Sequence, residues 1–125
     1  MNKYLIVGIG GALGSIARFW VGGYVYERLG ARFPYGTFVI NSTGCFVVGF
    51  VMTILTERSY LSPNWRLLIP IGFIGAYTTF STFEYETLMA VRDGAMLTAF
   101  LNVVLSLVVG FAGVWIGVVC GRAVA

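Results

Sequence analysis

A chain of 125 residues that is 58% hydrophobic and 10% charged, with mean hydropathy +0.88, cannot cover itself with polar surface, since soluble domains carry about 25% charged residues. That composition excludes an ordinary soluble domain and leaves an integral membrane protein. The net charge of +3 is spread over eight scattered Lys and Arg, which offers no patch for nucleic acid, and the lack of histidine excludes a His-based metal site or acid–base pair.

Charges and turn residues divide the chain into four apolar segments, roughly 4–26, 36–56, 67–91 and 95–121, which predict one four-helix transmembrane domain over residues 1–125. A crossing needs about 20 residues at about 1.5 Å each. The connections "ERLGARFPY", "ERSYLSPNW" and "RDGA" are short, and Pro34 and Pro63 fall in the first two. The opening "MNKYLIVGIGGALGSIA" has the outline of a signal peptide, but with three further apolar segments behind it we read it as the first of four crossings.

The first segment carries Gly10 and Gly14, a small-xxx-small pair suited to close helix packing. "GIGGALG" does not fit a dinucleotide-binding G-x-G-x-x-G, because position 13 is Leu. Arg18 lies about 12 Å inside the end of a helix finishing near Tyr26. It either snorkels to the interface or anchors the vestibule of a pathway, paired with Glu86.

The second segment begins "GTFVINSTGCF", where Thr37 and Asn41 are four apart and share a face. Asn41 is either inter-helix glue or a neutral donor to a dehydrated solute. Cys45 here and Cys120 in the fourth segment sit among apolar residues, as free packing thiols do.

The third segment holds "PIGFIGAYTTFSTFEYE". Pro70, Gly72, Gly75 and the β-branched threonines all weaken a helix, and a mid-membrane break would release backbone carbonyls suited to a cation. Phe80 and Phe83, three apart, share a face. They are either packing residues or rings whose positive edges meet a small anion. The fourth segment places Thr98, Asn102, Ser106 and Gly110 at every fourth position, one polar stripe on an otherwise apolar helix, and Gly113, Gly117 and Gly121 at the spacing of the first-segment pair.

Four crossings put Lys3, Arg58, Arg66 and Arg122 on one side and Arg28, Arg32 and Arg92 on the other. Orientation follows such a bias, and four against three is almost none. The chain either inserts both ways and pairs antiparallel, or keeps one weakly specified topology. A polar path without fixed charge at its middle suits passive movement of a small anion, because conduction needs weak, sequential sites.

In "GGALGSIAR" (10–18), "GTFVINSTGCFVVG" (36–49) and "GFIGAYTTFSTFEYE" (72–86), in that order, the whole chain resembles the CrcB/Fluc family of bacterial fluoride channels. The resemblance implies an all-α protein of four transmembrane helices, the third broken near its middle, in an antiparallel, dual-topology homodimer with two pores in the cytoplasmic membrane. It implies ring edges of Phe80 and Phe83 facing fluoride, with Asn41, Thr37, Ser81, Thr82 and Ser106 along the path. Arg18, Glu86 and Asn102 would stand at the pore ends. Carbonyls of Gly75 and Thr78 would hold a structural sodium ion between the subunits. Asn102 stands where some members carry Tyr, and Gly110 where some carry Ser or Thr. The rival reading is a proton-coupled exporter of the small multidrug resistance type, which needs a membrane-embedded carboxylate; only the third segment offers one, as Glu84 or Glu86. No activated nucleophile or metal cluster suggests an enzyme.

Overall fold

Helix α1, Lys3–Leu29, starts on Asn2, whose side chain accepts from the Tyr4 amide, and ends at Gly30, whose φ of 76° suits glycine. This computed structural model describes residues 2–125. After α1 come α2, Tyr35–Glu57, and then a run of pieces: the single turn α3, Asn64–Arg66, a π-helical segment, Leu67–Ile74, and the turn α4, Gly75–Tyr77. Thr78 and Thr79 are extended, α5 spans Phe80–Arg92, and α6 spans Met96–Val124. Helices α1, α2 and α6 are each long and apolar enough to cross a membrane. The third apolar segment is carried by the bent run from α3 to α5.

Antiparallel succession brings Lys3, Arg58, Arg66 and Arg122 to one end of the bundle. There the Arg58 guanidinium donates to the Val124 carbonyl at 2.8 Å, and Arg66 caps α2 through the Leu55 carbonyl at 3.1 Å.

Two backbone seams hold the bundle. On α1, a Cβ at Gly10 or Gly14 would overlap the carbonyl of Leu68 or Phe73 on the π-helical segment. The most extensive helix pair is α2 with α6, where Gly49 faces Val114, Gly117 faces the Phe46 carbonyl and Gly121 faces Phe50 and Thr53. In lipid no hydrophobic drive pushes helices together, so close backbone approach supplies the packing energy.

The third segment breaks near its middle, just after the glycines. Helical geometry runs through Pro70, Gly72 and Gly75 and stops after Tyr77. Pro70 lies in the π-helical segment, whose wider turn relieves the clash with the preceding carbonyl. Gly72 is a packing glycine pressed on Val7 and Gly10 of α1. The break itself is extended backbone at Thr78, φ −80° and ψ 157°, and Thr79, φ −147° and ψ 115°.

Candidate functional site

The break is held by one side chain. The Asn41 amide on α2 accepts from the Thr79 N–H at 2.8 Å and donates to the Thr79 carbonyl at 3.0 Å. An extended residue in mid-membrane has no helical partners, and an amide carries both complements. Gly44, one turn further along α2, makes room: a Cβ there would overlap the Thr78 methyl. Thr79 is buried and caps α5, its hydroxyl oxygen accepting from the Thr82 N–H at 3.2 Å.

These bonds redirect two amides. In an unbroken helix the Thr79 N–H would go to the Gly75 carbonyl and the Thr82 N–H to the Thr78 carbonyl. Both go to side chains instead. Gly75 and Thr78 therefore present carbonyls without their helical donors, and Gly75 is exposed on the single chain.

From the break, α5 runs as a polar seam between α2 and α6. Thr37, buried on α2, donates to Glu86 Oε1 at 2.7 Å, while Glu86 Oε2 has no partner among the described residues. Arg18 therefore forms no pair with Glu86; the Thr37 hydroxyl, on the same face as Asn41, takes that place. Beyond Glu86 opens a cavity of about 460 Å³, whose walls include Arg32, Thr37, Glu86 and Thr98.

On the other flank, Asn102 of α6 is the most deeply buried large side chain, 1% exposed. It donates to Thr87 Oγ1 at 2.9 Å and accepts from the Ser106 hydroxyl at 3.4 Å. Asn102 is thus buried where α6 packs on α5. Gly110, in line with it, is buried and packs toward Cys45 Sγ. The cysteines are free thiols.

The two phenylalanines are neighbours in different surroundings. Their ring centroids are 6.0 Å apart with planes at 47°. Phe83 is 7% exposed and Phe80 76% exposed on the single chain. Three residues turn a helix by somewhat less than a full revolution, so Phe83 reaches the interior while Phe80 looks outward. Ser81 is exposed beside Phe80, and Thr82 is half-buried, its hydroxyl oxygen accepting from Thr79 at 3.0 Å.

Sequence reasoning missed Thr79, Thr87 and Tyr77. Thr79 was findable as a capping residue three before Thr82. Thr87 and Tyr77, whose hydroxyl meets that of Thr43 at 2.9 Å, gave no sequence signal, because their partners are 15 and 34 residues away.

A family model described as CrcB-like protein, Camphor Resistance (CrcB), matches residues 5–118. The chain is 61% identical over 120 residues to a protein of Acidobacterium capsulatum named fluoride-specific ion channel FluC, covering 96% of each chain. A protein of the same name from Solibacter usitatus is 49% identical over 120 residues, 96% of this chain and 98% of the relative. Another, from Geotalea daltonii, is 41% identical over 122 residues, 98% of each.

Proposed function

The chain belongs to the CrcB-like family, and on that premise we propose that this multi-pass membrane protein is a fluoride-selective passive channel of the bacterial cytoplasmic membrane, not an enzyme. Near full-length identity to relatives named as fluoride-specific channels carries the reading and does not favour the drug exporter. The site's chemistry supports it. Fluoride is small and strongly hydrated, so its path needs neutral donors in place of water, each weak enough to release the ion. Along α5, the Ser81 and Thr82 hydroxyl hydrogens and the second Asn41 amide hydrogen have no acceptor among the described residues. The Phe80 and Phe83 edges add weak positive potential where no donor fits.

The functional unit is an antiparallel homodimer. One copy leaves Phe80, Ser81 and Gly75 exposed, so a second copy is needed to enclose a path beside α5. The four-to-three charge balance allows both orientations. Dimerisation brings a structural sodium ion into reach: the donor-less carbonyls of Gly75 and Thr78, doubled, offer four oxygens to a hard cation. Sodium bound there would tie the two breaks together electrostatically.

Flux from proteoliposomes read with fluoride and chloride electrodes tests this reading. Fluoride leaves and chloride does not; equal release of both, or of neither, overturns it. A C-terminal reporter should be found on both sides of the membrane, and two added lysines in one loop should drive it to one side. A parent found wholly on one side removes the antiparallel dimer.

A further inference from the structure

Four threonine hydroxyls of this chain share one kind of partner. Thr43, Thr53, Thr78 and Thr87 each donate to the carbonyl four residues earlier, at 2.7, 2.8, 2.9 and 2.8 Å. This back-bond is open to a serine or threonine inside a helix. Like Thr37, which donates to Glu86, Ser106 departs from it. Its hydroxyl donates to the side-chain oxygen of Asn102 at 3.4 Å.

The direction of that bond is fixed by its neighbours. Thr87 has one hydroxyl hydrogen, and it lies on the Phe83 carbonyl. Thr87 Oγ1 can then only accept, so Asn102 must turn its NH₂ toward Thr87. That leaves Asn102 Oδ1 facing Ser106. Donors therefore run one way, from Ser106 to Asn102 to Thr87 to Phe83, linking α6 to the backbone of α5. Asn102, 1% exposed, has no room to swing away.

We infer that Asn102 is a positioning residue for the anion path: it diverts the Ser106 hydroxyl from its back-bond and holds it on a long bond that fluoride displaces. This rests on the channel reading above and assigns the polar stripe of α6 a division of labour. At 3.4 Å the Ser106 bond is well beyond the usual 2.7–2.8 Å of an O–H···O pair, so it is given up readily. A back-bonded hydroxyl near 2.8 Å would release its hydrogen less readily. The amide thus keeps Ser106 a poised donor, while Thr87 keeps the amide in place.

The test is fluoride efflux from proteoliposomes over a range of fluoride concentrations, separating half-saturating concentration from maximal flux. Ser106→Ala removes the donor and should raise the half-saturating concentration by about three- to tenfold, the worth of one net hydrogen bond. Asn102→Leu returns Ser106 to its back-bond and should raise it to a similar extent, with the dimer assembled. The double variant should match Ser106→Ala alone, because both act on one hydrogen. Thr87→Val, which removes only the amide's anchor, should shift the concentration in the same direction by less, and not at all in the Ser106→Ala background; this pair decides the matter if Asn102→Leu does not assemble. Effects that multiply in the double variants, or single variants that lower maximal flux at unchanged half-saturation, overturn the inference while leaving the channel reading intact. A parent that releases no fluoride overturns both.

Discussion

The glycine seams and the polar seam hold the same chain together by opposite means. Where α1 meets the π-helical segment and α2 meets α6, contact is made by deleting side chains: Gly10, Gly14, Gly49 and Gly117 let backbone press on backbone. Around α5, contact is made by adding them: Asn41, Thr79, Thr37 and Asn102 supply hydrogen bonds that the broken helix and the buried polar atoms lack. The difference separates scaffold from function. A membrane core tolerates irregular backbone only where protein or a cavity answers it, so the irregular stretch is where polar side chains gather. The glycine seams carry no such chemistry and keep the break in register.

That contrast can be broken most severely on the scaffold side. Gly14→Leu drives a side chain into the Phe73 carbonyl. Overpacking against backbone costs about 1–3 kcal/mol or more, and the variant should fail to give a monodisperse peak on size-exclusion chromatography. Next comes the clamp. Asn41→Leu strips two partners from a buried residue, at about 1–3 kcal/mol for each orphaned group. It should lower the melting temperature and abolish fluoride flux. Asn41→Asp keeps the acceptor for the Thr79 N–H and should fall between it and the parent. An Asn41→Leu variant as stable as the parent would mean that the clamp is dispensable.

The phenylalanines sharpen the comparison within the polar seam. Phe80→Ile and Phe83→Ile should each cut fluoride flux sharply, because both lose a ring edge. Only Phe83→Ile, at the buried position, should also cost stability, about 1–2 kcal/mol in thermal or denaturant unfolding. Equal destabilisation by both, with flux preserved, would make the rings packing residues. The smallest effect is expected at Phe111→Leu on α6, 75% exposed and outside both seams, with flux and stability close to the parent.

Much of the scaffold was legible because it follows from local rules. Gly10 with Gly14, and Gly113, Gly117 and Gly121, sit at spacings that place them on one helix face, and those faces are where the backbones meet. Thr37 and Asn41, four apart on α2, do both face α5. The stripe of Thr98, Asn102, Ser106 and Gly110 does point into the bundle. The break was legible near the middle of the segment; its exact residues, Thr78 and Thr79, were not, since Pro70 and the glycines weaken a helix in isolation but are here absorbed by a π-helical turn and by packing on α1.

The sequence by itself determined that this chain lives in a membrane, that it has four apolar segments and that the second, third and fourth carry spaced Asn, Ser and Thr, because hydropathy, helical period and residue type are properties of the chain read in order. Only the tertiary structure decided that Asn41 clamps Thr79, that Glu86 answers Thr37 rather than Arg18, that Phe83 is buried while Phe80 is exposed, and that Asn102 takes the hydrogen of Ser106 in concert with Thr87. Those partners lie on other helices or turn on side-chain orientation. Which hydroxyl meets which amide is set by how closely the glycine seams let the helices approach, a quantity that no window of sequence contains.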